Sequence, residues 1–383
     1  MEQSKKVLYL TEDYTTSKVH HNLCRNVVLK GYPVVVFSIH REKYYTDLTS
    51  SFEQINYDWK IDQFSGSKKL YKYIFAYKMR YKYRKLVTEV NINDIGVCHA
   101  ATLFSDGAIA LKLKKECGIP YVVGVRGTDT DLYAKWMFHL WPMGREILRE
   151  AERVVFISPA LRETLFGSKP FRNMREEIMQ KTEIIPNGID NIWLESIRSE
   201  RQLLRTESPR IIYVGVLDQN KNVLALMAAV DKLSEKYTGI KLSIVGGNGA
   251  QEDAIKKRCA RFPEHYQMLG KIYDKNKLRE VMRQHDIFAM VSHGETFGLV
   301  YVEALSQALP ILYSRGRGID GFFVEKVGEG VNPESVDSIA QGLDQLISTP
   351  NDYVILGEKV KRFSWPELAE QYVNIYNALQ KCA

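Results

Sequence analysis

The feature that most constrains the fold is an alternation of short β-branched runs with longer amphipathic stretches, repeated along nearly the whole chain. Such runs predict buried parallel strands, and the stretches between them predict helices. This alternation indicates a doubly wound α/β domain. In the first half of the chain the predicted strands are Lys6 to Leu10, Pro33 to Phe37, Ile95 to His99, Pro120 to Val125, Arg153 to Ile157 and Glu183 to Ile185.

The alternation restarts after a polar stretch, SIRSERQLLRTESPR, which predicts a domain boundary near residues 190 to 208. We therefore expect two Rossmann-like domains, residues 1–195 and 196–365, with a final amphipathic helix in 366–383 that packs back on the first domain. Open α/β sheets bind ligands at the carboxyl ends of their strands, so a cleft between the two domains is the expected active site. In the second half the predicted strands are Ile211 to Val214, Lys241 to Val245, Tyr266 to Leu269, Ile287 to Met290 and Pro310 to Tyr313.

Composition narrows the class of protein. No apolar run approaches the roughly 18 residues that a membrane span needs, and the start, MEQSKKVLYLTED, lacks the apolar centre of a secretory signal. We therefore expect a cytoplasmic protein. Five cysteines without a CxxC pair favour free thiols over a zinc cluster. A net charge of +7 favours an anionic partner without choosing among phosphates, nucleic acid and anionic lipid.

The most basic segment is Lys68 to Lys85, which has eight Lys or Arg and no acid. As a helix it places Leu70, Tyr73, Ile74, Tyr77 and Tyr81 on one stripe, flanked by basic residues. Such a helix is suited to the surface of an anionic membrane, at the inner face of the cell membrane. The alternative is a solvated helix whose stripe packs on its own domain. We do not expect nucleic-acid binding, because no RNA-recognition or helix-turn-helix signature accompanies the basic residues.

A second candidate is the loop that follows the strand at Pro120 to Val125. It contains Arg126 and the triplet Asp129-Thr130-Asp131. Such a DxD triplet is able to hold Mg²⁺ against a diphosphate, but an Asp that opens a helix is more often an N-cap. We favour the N-cap and expect no metal.

The stretch HGETFGLVYVEALSQALPI, residues 293–311, contains the strongest pattern. Glu295 lies in a glycine-flanked turn after a predicted strand, and Glu303 lies within an apolar helix of about three turns that begins after the turn. The backbone N–H groups of Phe297, Gly298 and Leu299 would be free at the helix start, which favours binding of a diphosphate. The two acids are about 12 Å apart in a helix, too far to share a proton. We interpret them as separate acceptors for hydroxyl groups of one long ligand, with a surface ion pair as the alternative for Glu303.

ETFGLVYVE resembles the EX7E signature of the retaining GT-B glycosyltransferases of family 4. Further blocks resemble that family in the same order, over nearly the whole chain. They are GVCHAATLFSDGAIALKLKKECGIPYVVGVRGTD, AERVVFISPALRETL, EIIPNGID, IIYVGVLDQNKN, LSIVGGNG, MLGKIYDKNKL and FSWPELAEQYVNIY.

The resemblance implies a nucleotide-sugar donor site in the second domain. Glu303 would bind the donor ribose, Glu295 would contact the transferred sugar, and Phe297, Gly298 and Leu299 would donate to the diphosphate. Lys221 would neutralise the departing phosphate. Other donor-binding residues implied by the resemblance are Gly215, Gly246, Asn248, Lys271 and Ile272.

The chain also departs from the family pattern. Val216 stands where the family has an Arg after Gly215, and Arg315, Arg317 or Arg126 would have to supply the missing charge. Arg126 also replaces the usual His of the first-domain loop. Three groups of residues would then serve the catalytic or acceptor side: Arg126 with Asp129, His99, and Ser17 with Lys18 from TEDYTTSK, which replaces the glycine-rich first loop.

Taken together, these features predict a retaining, metal-independent glycosyltransferase. The donor would be a UDP- or GDP-sugar, and the acceptor a saccharide, expected to be linked to polyprenyl diphosphate, in bacterial capsule or exopolysaccharide assembly. Two alternatives stay open: a GT-B sugar-nucleotide epimerase or hydrolase, and a non-catalytic protein that binds sugar nucleotides. No cofactor is expected.

Overall fold

The computed structural model describes residues 5–40, 57–63, 75–201 and 207–381. The chain divides into two compact units. The first comprises residues up to Ile157, Leu161–Asn187 and the C-terminal segment from Trp365, and the second comprises Ser158–Ala160 and Gly188–Ser364. Compared with the predicted boundary, the division falls earlier, after Asn187, and a three-residue piece before Leu161 belongs to the second unit.

Within the described residues, the first unit contains a parallel sheet of seven strands in the order β3-β2-β1-β4-β5-β6-β7. The strands alternate with helices, as the β-branched runs and amphipathic stretches of the sequence predict. The strands are β1 Lys6–Leu10, β2 Val34–His40, β3 Asp58–Gln63, β4 Ile95–Ala100, β5 Tyr121–Val125, β6 Arg153–Phe156 and β7 Thr182–Ile184.

The second unit contains a parallel sheet of six strands, in the order β10-β9-β8-β11-β12-β13, again counted over the described ranges. Parallel pairing on both sides makes the central strands apolar, and Ile211, Ile212, Ile287 and Phe288 are fully buried. The strands are β8 Arg210–Val216, β9 Lys241–Gly247, β10 Tyr266–Gly270, β11 Ile287–Ala289, β12 Ile311–Ser314 and β13 Gly328–Val331.

Helices cover both sheets, and short 3₁₀ or π-helical turns join several of them. Among the described residues, no helix is both long enough and apolar enough to cross a bilayer. The helices are α1 Lys18–Leu29, α2 Phe75–Glu89, α3 Ser105–Cys117, α4 Ala134–Trp136, α5 Trp141–Glu150, α6 Pro159–Gly167, α7 Arg175–Met179, α8 Asn191–Leu194, α9 Val223–Ser234, α10 Glu252–Arg261, α11 Lys275–Met282, α12 Leu299–Ser306, α13 Val336–Ser348 and α14 Trp365–Lys381.

The C-terminal helix α14 belongs to the first unit. Its apolar face, which includes Trp365, Leu368, Tyr372 and Tyr376, joins the same buried cluster as strand and α1 side chains of that unit. Helix α14 therefore completes the core of the first unit, although it follows the whole second unit in sequence.

Each sheet has one point where the strand order reverses direction, and such points are where doubly wound folds bind ligands. In the first unit this point lies between β1 and β4, and in the second unit between β8 and β11. The loops that follow these strands carry most of the candidate residues.

Candidate donor and acceptor sites

In the second unit, the β11–α12 turn is fixed by backbone geometry and by its neighbours. Gly298 has a φ of +81°, which favours glycine, and a Cβ there would lie 2.6 Å from the ring of Tyr301. The Tyr301 hydroxyl donates to the Met290 carbonyl at 2.6 Å, which ties α12 to β11. Helix α12 ends at Ser306, so it is shorter than the predicted three turns.

The turn keeps the expected donors available. Within the ranges that the structure describes, the backbone N–H groups of Phe297, Gly298 and Leu299 donate no hydrogen bond. The Phe297 side chain is 2% exposed and packs against Phe322 and Phe363, so only its backbone is available to a ligand. Free N–H groups at a helix N-terminus favour an anion, as the sequence predicts.

Glu295 and Lys221 meet across the point where the second sheet reverses its strand order. The Lys221 ammonium lies 2.7 Å from Glu295 Oε2, and both side chains are largely buried, with 21% and 14% exposed. Lys221 comes from the β8–α9 turn and Glu295 from the β11–α12 turn, so the pair spans the crevice between β8 and β11.

Asn220 holds these two turns together, and the sequence analysis did not identify it. Its Nδ2 donates to the Gly294 carbonyl at 2.9 Å, and the Gly294 N–H donates to its Oδ1 at 2.8 Å. This reciprocal pair fixes the backbone on which Lys221 and Glu295 stand. An Asn directly before a candidate lysine was the available signal.

Glu303 is also paired with a lysine, Lys275, at 3.7 Å, and Lys275 contacts Asp190 at 2.5 Å. Burial raises the pKa of the Glu303 carboxyl, although the Lys275 ammonium opposes the effect. Glu303 is 13% exposed, so it is not a surface ion pair of the kind considered from the sequence. Lys275 and Asp190 are further residues of this site that the sequence analysis missed.

The glycine turns after β8 and β9 bring two backbones close together. Gly246 has a φ of +156°, and a Cβ there would lie 1.8 Å from the Gly215 carbonyl oxygen. This close approach accounts for glycine at 246, and a Cβ at Gly215 would lie 2.6 Å from the Tyr213 hydroxyl oxygen, so packing alone accounts for both glycines. Asn248, with a φ of +59°, donates its N–H to Glu252 at 2.7 Å. Lys271 is exposed and Ile272 half-buried in the segment after β10.

The loop after β12 lies against the Glu295 turn. The Gly318 N–H donates to the Glu295 carbonyl at 2.9 Å, which brings the backbone beside Arg317 to the turn. Arg315 donates instead to the Gly330 carbonyl at 2.9 Å. In the described part of the chain, the half-buried Arg317 guanidinium has no partner, whereas Val216 is 43% exposed at the end of β8.

In the first unit, Asp129 is a buried acceptor for backbone groups. Its two carboxylate oxygens accept from the N–H groups of Leu103, Phe104 and Arg126, at 3.1, 3.2 and 2.8 Å. Burial raises the pKa of Asp129 to about 6, against the effect of these donors. Asp129 is therefore neither the expected N-cap nor available to a metal beside Asp131. Its contacts assign it to fixing the loops after β4 and β5 rather than to catalysis.

Arg126 lies at the carboxyl ends of β4 and β5. Its Nε donates to the Ala101 carbonyl and one terminal nitrogen to Asn187 Oδ1, both at 3.2 Å. The half-buried side chain is thus held in place. Its role as an acceptor-side cation stays a prediction.

His99 is not positioned as expected. It is fully buried, its Nδ1 pairs with the Tyr376 hydroxyl of α14 at 2.6 Å, and its ring packs on Tyr9 at 4.7 Å. Burial lowers the pKa of His99 to about 3, and Arg126 adds to the effect. A neutral side chain without solvent access cannot contact an acceptor, so the expected role for His99 is wrong.

The first loop has a structural rather than a binding role at Ser17. Ser17 is the N-cap of α1, accepting from the Val19 N–H at 3.3 Å, and Lys18 is exposed. The loop also contributes Glu12, which sequence analysis did not single out. Glu12 is bonded to Lys78 at 2.7 Å and to Lys82 at 3.0 Å.

The basic segment differs from its predicted form. Lys68 to Ile74 lie outside the described residues, and the remainder forms the first part of α2. Two of its lysines, Lys78 and Lys82, are buried at 5% and 3% exposure, and Lys82 also contacts Asp106 at 3.2 Å. The face of α2 that packs on its own unit is therefore partly ionic, while the predicted stripe residue Tyr77 is 37% exposed.

Comparison with known proteins agrees with the fold and with the residue pattern. Residues 17–191 match the family model described as Glycosyltransferase Family 4, and residues 196–363 match the model described as Glycosyl transferases group 1. The chain belongs to the GT-B glycosyltransferases of family 4.

The relatives of this glycosyltransferase are distant. An uncharacterized glycosyltransferase of Methanocaldococcus jannaschii is 26% identical over 303 residues, which are 74% of this chain and 75% of that protein. A phosphatidyl-myo-inositol mannosyltransferase of Mycobacterium tuberculosis is 28% identical over 211 residues, about half of each protein at 51% and 53%.

Two solved structures show the shared fold. The lipopolysaccharide outer core galactosyltransferase WaaB, in its apo form, superposes with a TM-score of 0.73 at 15% identity, covering 97% of this chain and 99% of that one. The Anabaena protein HepE in complex with UDP and glucose superposes with a TM-score of 0.63 at 16% identity, covering 98% and 100%. The glycosyltransferase thus combines the GT-B fold with two paired acids in its second unit.

Proposed function

We propose that this glycosyltransferase moves a glycosyl group from a nucleoside diphosphate sugar to a hydroxyl group of a saccharide, with retention of anomeric configuration and without a metal. The observation that carries the proposal is the Lys221–Glu295 pair, held at 2.7 Å beside the free N–H groups at the start of α12. A cation and aligned N–H groups are the features that stabilise a departing diphosphate.

In the proposed reaction, the bond between the anomeric carbon and the diphosphate oxygen breaks, and its electron pair stays on the phosphate. The acceptor hydroxyl oxygen bonds to the anomeric carbon on the same face, and its proton passes to the departing phosphate oxygen. Lys221 and the N–H groups of Phe297, Gly298 and Leu299 offset the charge that develops. Glu295 would bind hydroxyl groups of the transferred sugar, and Glu303 those of the ribose.

The donor assignment is tested by ligand-induced stabilisation. We would measure thermal unfolding of the wild type, Glu303→Ala and the exposed-site control Glu358→Ala with UDP, GDP, ADP, CMP and NAD. A ligand at about 100 times its dissociation constant stabilises the fold by about 2.7 kcal/mol. HepE binds UDP, so we expect UDP to stabilise the wild type and the control but not Glu303→Ala. Stabilisation by NAD alone would refute the donor site.

Retention and metal independence need a turnover assay. We expect proton NMR to show the donor's anomeric configuration in the product, and EDTA to leave the rate unchanged. Release of free sugar, or of a new nucleotide sugar, without an acceptor would favour the hydrolase or epimerase alternative. Donor binding without turnover on any acceptor would favour a non-catalytic protein, an alternative that draws support from Val216 at the place of the family arginine.

We further propose that the acceptor is linked to a lipid, such as a polyprenyl diphosphate, and that the protein works at the inner face of the bacterial cell membrane in surface polysaccharide assembly. Support comes from the exposed Arg80 and Arg84 of α2 and from the mannosyltransferase relative, whose name gives a lipid acceptor. Sedimentation with anionic vesicles at low and high salt tests this part, and no difference between them would contradict it.

A further inference from the structure

A cavity of about 820 Å³ opens in the first unit between α2, α3 and the segment that leads into α5. Its apolar lining comes from Phe75 and Met79 of α2, Ile109 of α3, and Leu140 and Met143 beyond them. A volume of this size with a mostly apolar lining is typical of a site for a small organic ligand. No residue that we assign to the reaction lines the cavity.

Two of the polar groups of this cavity are cationic, Arg80 and Lys112. They line it together with His139, and no acidic residue does so among the described residues. Arg80 is exposed and has no partner in the part of the chain that the structure describes. Lys112 lies 4.0 Å above the Tyr83 ring and 3.6 Å from Glu116. The cavity therefore combines an apolar interior with charge that favours an anion.

Large apolar side chains are exposed in the segment beside the cavity. Trp136 and Phe138 are 61% and 64% exposed, and Leu132 is 41% exposed. The Lys135 ammonium lies 5.3 Å from the Trp136 ring. Exposed aromatic residues together with basic ones are typical of protein surfaces that meet the lipid–water interface.

The cavity is also close to the carboxyl ends of the strands. Phe75 packs edge-to-face on Tyr133, with ring centroids 6.1 Å apart, and Tyr133 stacks on Phe104 at 4.7 Å. Phe104 follows β4, and its N–H donates to Asp129 in the loop after β5. A molecule in the cavity would thus lie near the loops that carry Arg126.

We propose that this cavity binds the apolar chain of a lipid whose head group carries phosphate, with Arg80 and Lys112 beside the phosphate. The inference rests on the proposed function and deepens it, because it places the lipid part of the acceptor in a defined site of the first unit. A single lipid chain would be held inside the cavity, whereas loose adsorption would need only a charged surface.

The probe is dodecyl phosphate, used below its micelle concentration and titrated by calorimetry. Inorganic phosphate and dodecanol are the separate arms for the head group and the chain. Ala76→Trp fills the cavity from an exposed position of α2, and Val87→Trp adds the same side chain to an exposed position that does not line it. Arg80→Gln removes charge without adding bulk.

We expect the wild type and Val87→Trp to bind dodecyl phosphate equally, and Ala76→Trp to bind it about tenfold more weakly or not at all. Arg80→Gln should weaken binding several-fold at low salt and less at high salt. Equal binding by all four proteins would overturn the inference. Binding of inorganic phosphate as tight as that of dodecyl phosphate would overturn it as well, because the chain would then contribute nothing.

The same preparations separate this inference from the proposed function. If UDP stabilises every variant but dodecyl phosphate binds none, the lipid site is wrong and the donor assignment stands. If dodecyl phosphate binds as expected while no nucleotide binds, the proposed function fails alone. Vesicles of equal phosphatidylcholine and phosphatidylglycerol add a third arm. The inference is overturned if Ala76→Trp sediments with these vesicles as completely as the wild type and binds dodecyl phosphate equally well. Membrane binding would then need only a charged surface and not the cavity.

Discussion

The two units have the same kind of sheet but treat the point of strand reversal differently. In the second unit, the crevice between β8 and β11 holds the Lys221–Glu295 pair beside N–H groups that have no protein acceptor in the described residues. In the first unit, the corresponding region between β1 and β4 is closed by Lys82, which bridges Glu12 and Asp106. The second unit thus leaves backbone donors available beside its ion pair, whereas the first unit satisfies these charged groups internally.

The difference separates a binding site from a structural one. The pKa of Glu12 falls to about 2, because Lys82 and Lys78 outweigh the effect of burial, so Glu12 is an ionised member of a closed network. The free N–H groups at the start of α12 have no such compensation from the protein. A diphosphate would supply the missing acceptors. We therefore expect mutations in the second-unit crevice to affect turnover more than stability, and mutations in the first-unit network to affect stability more than nucleotide binding.

The largest expected effect is on turnover at the second-unit crevice. Lys221→Ala should lower kcat about a thousandfold, or about 4 kcal/mol, because the departing phosphate loses its cation. The free energy of unfolding should fall by only about 2 kcal/mol, because the largely buried Glu295 carboxylate loses its paired cation. Rates of nucleotide release with acceptor and denaturant unfolding measure the two quantities. Lys232→Ala, which removes an exposed paired lysine of α9, is the matched control and should change neither.

The first-unit network should respond in the opposite way. Lys82→Ala should lower the free energy of unfolding by about 3 kcal/mol, because it leaves the fully buried Asp106 carboxylate without its cation, while Glu12 keeps Lys78. The stabilisation that UDP adds to this variant should equal the stabilisation that it adds to the wild type. Urea unfolding measures the loss, and Lys85→Ala on the exposed side of the same helix is the control. Loss of nucleotide binding without loss of stability would show that this network, too, belongs to a ligand site.

The next expected effect is a pH dependence of the free energy of unfolding that comes from Asp129. Its pKa is raised to about 6 in the folded state, so the folded protein binds more protons than the unfolded chain between pH 4 and 6. Stability from this group is present below pH 4 and is lost as pH rises through 6, by up to about 3 kcal/mol. Urea unfolding of wild type and Asp129→Asn at several pH values measures it. Identical pH slopes would contradict the assignment.

The sequence predicted the fold well where strands are central and apolar. β1, β4, β8 and β9 match their β-branched runs, because burial on both faces requires such residues. The two missed strands, β3 and β13, are edge strands with the sequences DWKIDQ and GEGV. An edge strand is covered less, so charged residues and glycine are tolerated there and the pattern disappears.

The sequence predicts a site residue when its structural neighbours are close in sequence, and fails when they are distant. The sequence suggests Glu295 and the start of α12 because strand, turn and helix are contiguous. Lys275, the first residue of α11, and Asp190, which precedes α8, both lie near Glu303, and no local spacing brings them together. His99 shows the reverse error, since a polar residue near a strand end is buried by α14, a helix more than 260 residues later.

The smallest expected effect is on the affinity for UDP. It concerns the positive charge that the family has at position 216, where this chain has Val216. Arg317→Ala should weaken UDP binding about tenfold, because Arg317 has no acceptor among the described residues and lies beside Gly318, whose N–H is bonded to the Glu295 turn. Arg315→Ala is the matched control, since Arg315 already donates to Gly330 and should leave binding unchanged. Calorimetric titration with UDP measures both.

If Val216→Arg then restores UDP binding to Arg317→Ala, the two positions serve the same phosphate. If Arg317→Ala binds UDP as the wild type does, Lys221 and the α12 N–H groups hold the diphosphate unaided, and the second-unit crevice needs no arginine.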